Sequence, residues 1–217
     1  SYLFASLYYQ IEDNANALLN INEAVKNQEA AGKVPQESWY ILQRGLYFDK
    51  EDFKNGLPVL EKLIRHYPKA QYWKQLSQVY RMLNREKEAL AALEVCYQMG
   101  GLTTERDLVN LSYMYLEAEV PYKAVKVLRK GIYTDKSIEP TAKNLKTLAD
   151  SLRLSQDVKD SIAEYEKAAQ KSTDGELIIG LAQSYLATDN FKNASKWARQ
   201  ALRAGGLKRV DSANLVV

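Results

Sequence analysis

Few residues of this chain are of types that could do chemistry, and the single histidine is the first to weigh. His66 stands beside Tyr67 and Pro68, where a helical pattern runs out. A metal would need co-ligands and a general base would need an orienting partner, and a lone histidine brings neither. A cation-leaning side chain in a last helical turn complements the helix dipole, so His66 reads as an exposed helix-end residue. Cys96 is the sole cysteine, which excludes an internal disulfide and any thiolate-rich metal site. It falls among apolar positions and reads as a small core hydrophobe, since a reactive thiol wants an exposed, electropositive setting. Neither a GxGxxG loop, a GxxxxGK[ST] loop nor a serine elbow occurs, and the Gly-Gly pairs at 100–101 and 205–206 follow helical stretches instead of linking strand to helix. No enzyme, cofactor or metal is expected.

The charged residues point the same way. Lysines and arginines exceed acids by 30 to 27, both signs are interleaved, and the isoelectric point of about 8.7 falls short of a nucleic-acid footprint. The densest basic stretch is Lys123, Lys126, Arg129, Lys130 and Lys136, whose first members share the helix face opposite Val125, Leu128 and Ile132 and read as a solvated outer surface. No base-reading side chains recur at fixed intervals, so nucleic acid is not an expected partner. No window of about 18 apolar residues could span a bilayer, so no integral membrane segment is expected. Abundant Ala, Leu, Lys, Glu, Gln and Arg with sparse Gly and Pro favour helices throughout. Ser1 to Gln10 read as the middle of an amphipathic helix and Asp211 to Val217 as the start of another, so the chain reads as an excised fragment.

What positions these residues is a repeat. Around Trp73 the chain reads Trp73, Leu76, Ser77, Tyr80, then Ala89, Leu93, Cys96. The same offsets return as Leu108, Leu111, Ser112, Tyr115, Ala124, Leu128, Gly131; as Leu145, Leu148, Ala149, Leu152, Ser161, Tyr165, Ala168; and as Ile178, Leu181, Ala182, Tyr185, Ala194, Ala198, Ala201. Two looser units precede them, through Tyr8, Ala17, Ile21, Ala24 and through Tyr47, Gly56, Leu60, Leu63, Pro68. The small residue opening each second helix falls at 17, 56, 89, 124, 161 and 194, in steps of 39, 33, 35, 37 and 33 residues. Small residues at Ser77, Ser112, Ala149 and Ala182 let paired helices approach, and Tyr80, Tyr115 and Tyr185 fill the space beside them. Gly100 and Gly205 sit where a helix should end in a left-handed glycine, and Thr103 or Thr104 can cap the helix that follows. Pro121 and Pro140 sit at turns, Pro58 falls near a helix start, and Arg44 occupies a slot that elsewhere holds a small residue, with Trp39 and Leu42 fitting only if that helix is one residue longer.

This spacing resembles the tetratricopeptide repeat, W-x2-L-G-x2-Y followed by A-x3-F-x2-A with a period of about 34. The resemblance implies an all-α fold, a right-handed superhelical solenoid of about six helix-turn-helix repeats forming a single domain. The repeats run roughly 1–34, 37–69, 70–103, 105–140, 142–174 and 175–207, with 208–217 starting a capping helix. It also implies a non-enzymatic protein-binding scaffold whose first helices line a concave groove. The matching positions here are Gln71, Lys74, Gln78 and Arg81; Arg106, Val109, Asn110, Tyr113 and Leu116; and Lys143, Lys146, Asp150 and Arg153. Such a groove suits an extended peptide with acidic groups.

Four further stretches, Val120-Pro121-Tyr122-Lys123-Ala124, Thr141 to Leu145, Asp174 to Leu177 with Leu181 to Leu186, and Gly205 to Arg209, resemble the periplasmic repeat proteins that accompany TonB-ExbB-ExbD systems of Gram-negative bacteria. That resemblance implies a periplasmic accessory contacting TonB-type components. A competing reading is a cytoplasmic chaperone adaptor, in which Lys74, Gln78, Asn110 and Lys143 resemble a carboxylate clamp, although Gln78 replaces an asparagine and Thr147 the last basic residue. The chain could also serve as the recruiting part of a longer enzyme, and an apolar solenoid end leaves self-association open.

Overall fold

A computed structural model describes residues 1–214 and 216, and all of its regular secondary structure among them is helical. The helices form six hairpins: α1 (Tyr2–Gln10) with α2 (Asn14–Ala30), α3 (Glu37–Phe48) with α4 (Phe53–His66), α5 (Ala70–Met82) with α6 (Glu86–Gln98), α7 (Glu105–Glu117) with α8 (Pro121–Arg129), α9 (Ala142–Leu154) with α10 (Val158–Ala169), and α11 (Gly175–Leu186) with α12 (Phe191–Ala204). A π-turn, Lys130–Thr134, prolongs α8, and a short α13 (Val210–Asn214) follows α12. The expected capping helix over 208–217 includes Leu215 and Val217, which lie outside the described residues. The chain divides into two compact units, Ser1–Gly101 with three hairpins and Leu102–Val217 with the other three and α13.

Each hairpin is closed by one recurring backbone device. A non-glycine residue with positive φ sits in every inter-helix turn: Glu12, Glu51, Asn84, Glu119, Gln156 and Asp189. Its N–H reaches back three residues, and the next N–H reaches back five, to the carbonyls of Tyr8, Tyr47, Tyr80, Tyr115, Leu152 and Tyr185 at 2.8–3.0 Å. These bonds satisfy carbonyls that a helix end leaves without a partner, as in a Schellman cap. Five residues after each left-handed residue comes the small one, so both advance by the same steps of 39, 33, 35, 37 and 33. Side chains then start many second helices: Asp13, Asp52 and Asn190 accept from the N–H three residues on at 3.1–3.3 Å.

Beyond the turn, the seam closes on residues without bulk. Ala17, Ala89, Ala124, Ser161 and Ala194 are fully buried. At Gly56 a β-carbon would stand 2.4 Å from the Phe48 ring, so the second hairpin admits no side chain there. In the first unit, Ile21, Tyr40, Leu46, Leu60, Leu63 and Tyr72 fill the core; in the second, Leu111, Leu128, Leu145, Leu148 and Tyr165 do. Neighbouring hairpins are tied by polar bonds about one repeat apart: Lys62 to Glu29 at 2.8 Å, Lys69 to Glu37 at 2.7 Å, Arg129 to Asp160 at 2.8 Å and Lys171 to the Pro140 carbonyl at 2.7 Å.

Several local expectations change. The second hairpin needs no longer first helix, because Tyr40, Gln43 and Arg44 occupy the slots of Trp73, Leu76 and Ser77. Tyr40 is fully buried, Gln43 donates to Asn22 Oδ1 at 2.8 Å, and Arg44 reaches Gln75 while lying over the Phe48 ring. Polar partners on adjacent helices make these substitutions tolerable. Pro58 lies inside α4, beyond the first turn where its missing N–H would be harmless. Of the two threonines only Thr104 caps α7, accepting from Asp107 N–H at 3.2 Å. Tyr115 is buried as expected, whereas Tyr80 and Tyr185 are only partly so and turn their hydroxyls to Glu61 and Glu166.

Two substitutions test this architecture. Glu119 pays the left-handed penalty of roughly 1–2 kcal/mol, partly offset in a glycine by its looser unfolded chain, so Glu119→Gly should stabilise by about 0.5–1 kcal/mol in urea titration. Ala124→Leu should overpack the fourth seam and destabilise by about 1–3 kcal/mol, and an unchanged melting temperature would refute the seam assignment.

Candidate protein-binding site

The groove residues expected in the first unit share one face of α5. Gln71, Gln78 and Arg81 are exposed, Lys74 is half-buried, and Arg81 lies 3.9 Å from Glu86. In the second unit the first helices α7, α9 and α11 lie side by side and form clefts.

Between α7 and α9 a cleft of about 380 Å³ is lined by Glu105, Arg106, Val109, Thr141, Lys143 and Asn144. The sequence reasoning placed Arg106, Val109 and Lys143 in the groove, and the structure brings them together. Glu105 accepts from Asn144 Nδ2 at 2.7 Å and from the Glu139 N–H at 3.3 Å, which fixes the entry to α9. Arg106 and Lys143 stay exposed and uncommitted to that network. Farther along α7, Asn110 donates to Met114 Sδ at 3.8 Å, and the Tyr113 hydroxyl meets Thr147 Oγ1 at 3.2 Å. Thr147 is itself buried and donates to the Lys143 carbonyl at 2.9 Å. It is a strut between α7 and α9, so the clamp's last basic position has become a structural tie. Lys74 and Gln78 of that expected set belong to the first unit, Asn110 and Lys143 to the second.

A second cleft, about 310 Å³, lies between α9 and α11 and is lined by Lys146, Asp150, Arg153, Tyr165, Glu176, Ile179, Gly180, Gln183, Lys208 and Arg209. Lys146 and Asp150, one turn apart on α9, pair at 2.7 Å. Tyr165 comes from α10, yet its phenol passes between the first helices to donate to the other Asp150 oxygen. The passage exists because α11 carries Gly180, where a β-carbon would stand 2.8 Å from the ring. Burial first, then the Asp150 carboxylate, pushes the Tyr165 phenol well above its ordinary pKa. The Nε of Arg153 is buried with no hydrogen bond among the described residues. Four cations against Asp150 and Glu176 leave the cleft net positive, a setting for a carboxylate.

One rim of this cleft is built by backbone. A side chain at Gly175 would collide with the Gly205 carbonyl, and Lys208 N–H donates to Glu176 at 2.5 Å. The stretches 174–177 and 205–209 therefore converge beside the cleft. Sequence reasoning found Lys146, Asp150 and Arg153 but missed Tyr165, Gln183, Lys208 and Arg209. Tyr165 sits at a repeat core position, and only the mid-helix glycine at 180 signalled that its ring needed passage.

Elsewhere the chemistry-bearing residues have ordinary settings. His66 is exposed at the end of α4 and stacks on Tyr40 with ring centres 6.3 Å apart, and Cys96 is fully buried. Among the described residues no three His, Cys, Asp or Glu side chains gather as a metal site, and no helix is long and apolar enough to cross a membrane. Tyr185, partly buried and donating to Glu166, has its pKa raised to about 12. A phenol whose pKa rises on folding contributes stability fully below about 10, its unfolded value, and loses it as pH climbs through the folded value. Melting temperature should thus fall above pH 10, and the Tyr165→Phe/Tyr185→Phe variant should show a shallower decline.

No family model matches the chain, and no curated protein matches it either. Solved structures do. YrrB, described as a TPR protein with an unusual peptide-binding site, superposes with a TM-score of 0.65 at 12% identity over 91% of this chain and 98% of its own. A MamA structure gives 0.58 at 16% identity over 77% and 91%, and MamA from Desulfovibrio magneticus RS-1 gives 0.56 at 12% over 77% and 94%. Identities this low convey the fold alone, and that fold agrees with the hairpins, turns and seams above: the chain has the helical-repeat solenoid fold of tetratricopeptide-repeat proteins.

Proposed function

We propose that the protein is a non-enzymatic scaffold that holds an extended, acidic segment of a partner protein along the first-helix face of its second unit. The observation that carries this is the α9–α11 cleft, where Lys146, Arg153, Lys208 and Arg209 surround a cavity and the Arg153 Nε is buried with no hydrogen bond among the described residues. A carboxylate of the ligand would take charge-assisted hydrogen bonds there, while Arg106 and Lys143 engage a second acidic group in the neighbouring cleft. Gln183 offers an amide to the peptide backbone in the α9–α11 cleft. The peptide-binding description of YrrB, a protein of the same fold, is consistent with this use of the surface.

The setting we propose is the periplasm, as an accessory of a TonB-type uptake machine. What supports it is the sequence resemblance of four stretches, two of which meet at the rim of the α9–α11 cleft. A surface built from the resembling residues is where a shared partner would be gripped.

Photo-crosslinking in the native cells tests both levels. A photoreactive residue at Arg106 or Gln183 should capture a partner polypeptide, and one at exposed Lys126 should not. Lys143→Glu combined with Lys146→Glu should weaken capture at least about tenfold, because charge-assisted bonds contribute roughly 1.5–3 kcal/mol each, while the fold is retained. Capture unaffected by the reversal would move the site elsewhere. Recovery of TonB-type components supports the periplasmic reading, and recovery of cytoplasmic chaperones alone refutes it.

A further inference from the structure

A strong charge asymmetry begins on α12 and runs on to Lys208 and Arg209, which line the α9–α11 cleft. From Asn190 to Val210 the sequence holds six cations, Lys192, Lys196, Arg199, Arg203, Lys208 and Arg209, and no acid. This segment alone exceeds the chain's net charge of +3. The first four recur at intervals of four, three and four residues, so they form one stripe along α12, and all four are exposed. With Ser195 and Gln200 they line a shallow surface depression of about 430 Å³. At 1.5 Å per residue the stripe is about 16 Å long.

Other second helices pair some of their cations. Lys62 of α4 pairs with Glu29, Arg129 of α8 with Asp160, and Lys167 of α10 with Glu164. On α12, Lys196 lies 5.4 Å over the Trp197 ring, and Lys192, Arg199 and Arg203 form no ion pair among the described residues. Phe191, 63% exposed, opens the same helix on a different face, about 100° around from the first cation.

From this we infer that the outer face of α12 docks the protein onto an anionic lipid surface. A straight row of flexible cations, with no ion pair among the described residues, on a rigid helix matches a plane of negative headgroups. Nucleic-acid backbones would be tracked by cations recurring from hairpin to hairpin, whereas these are confined to one helix. A partner helix would need an apolar seam beside the charges, and α12 turns Ala194, Ala198 and Ala201 inward to its own core.

The test is co-sedimentation of the full chain with phosphatidylcholine vesicles and with mixed phosphatidylcholine–phosphatidylserine vesicles. Binding should occur only to the mixed vesicles and fade as salt rises. Each cation near such a surface multiplies binding roughly fivefold, so Lys192→Glu/Arg199→Glu/Arg203→Glu should bind at least tenfold more weakly. A control with the same charge change at exposed Lys26, Lys54 and Lys87 should bind like the parent, and all three proteins should melt alike. Failure of the parent to bind mixed vesicles overturns the inference, as does equal loss in the control. So does equal binding of the parent to duplex DNA, competing away the vesicles.

Discussion

Everything in this molecule depends on how closely the two helices of a hairpin can approach. The approach is set twice within five residues: by a left-handed turn residue that folds the chain back, and by a small residue that lets the second helix touch the first. Because both lie on one short segment, the connections between hairpins can change in length without changing the seam. Repeat lengths accordingly vary while the offset from turn to seam does not.

Much of this was legible from the sequence, since apolar spacing and small residues are written directly into it. The six second-helix starts could be read from residues 17, 56, 89, 124, 161 and 194, which are all buried. The turns were less legible. Glycine is the usual sign of a left-handed position, yet Glu12, Glu51, Asn84, Glu119, Gln156 and Asp189 fill them, and only periodicity betrays residues of such ordinary type. Arg44 misled for a related reason, because hydrogen bonding to Gln75 and contact with Phe48 let an arginine stand where other repeats place serine or alanine.

The lining of the candidate clefts was readable only in part, and the reason is again geometric. Positions on a first helix can be projected from its period, which located Arg106, Lys143, Lys146, Asp150 and Arg153. Residues that reach the cleft from another layer cannot be projected this way. Tyr165 arrives from a second helix through the gap at Gly180, and Lys208 and Arg209 arrive from a loop held by the Gly175–Gly205 contact. Charge is likewise divided by layer, with cations around clefts on the first helices of the second unit and, on the outer face of α12, a row with no ion pair among the described residues. A repeat protein can in this way address two kinds of partner without either competing for the same helix.

Tyr165 has one more implication. In most hairpins the second helix acts as a buttress, and its outer sequence can drift without altering the inner surface. Here the floor of the cleft is the tip of a ring anchored on the buttress itself. A slide of α10 along its neighbours would be copied directly into the depth of the cleft and into the orientation of the Asp150 carboxylate. The two layers of the fifth repeat are geared together, and its outer helix cannot evolve independently of what the inner face holds.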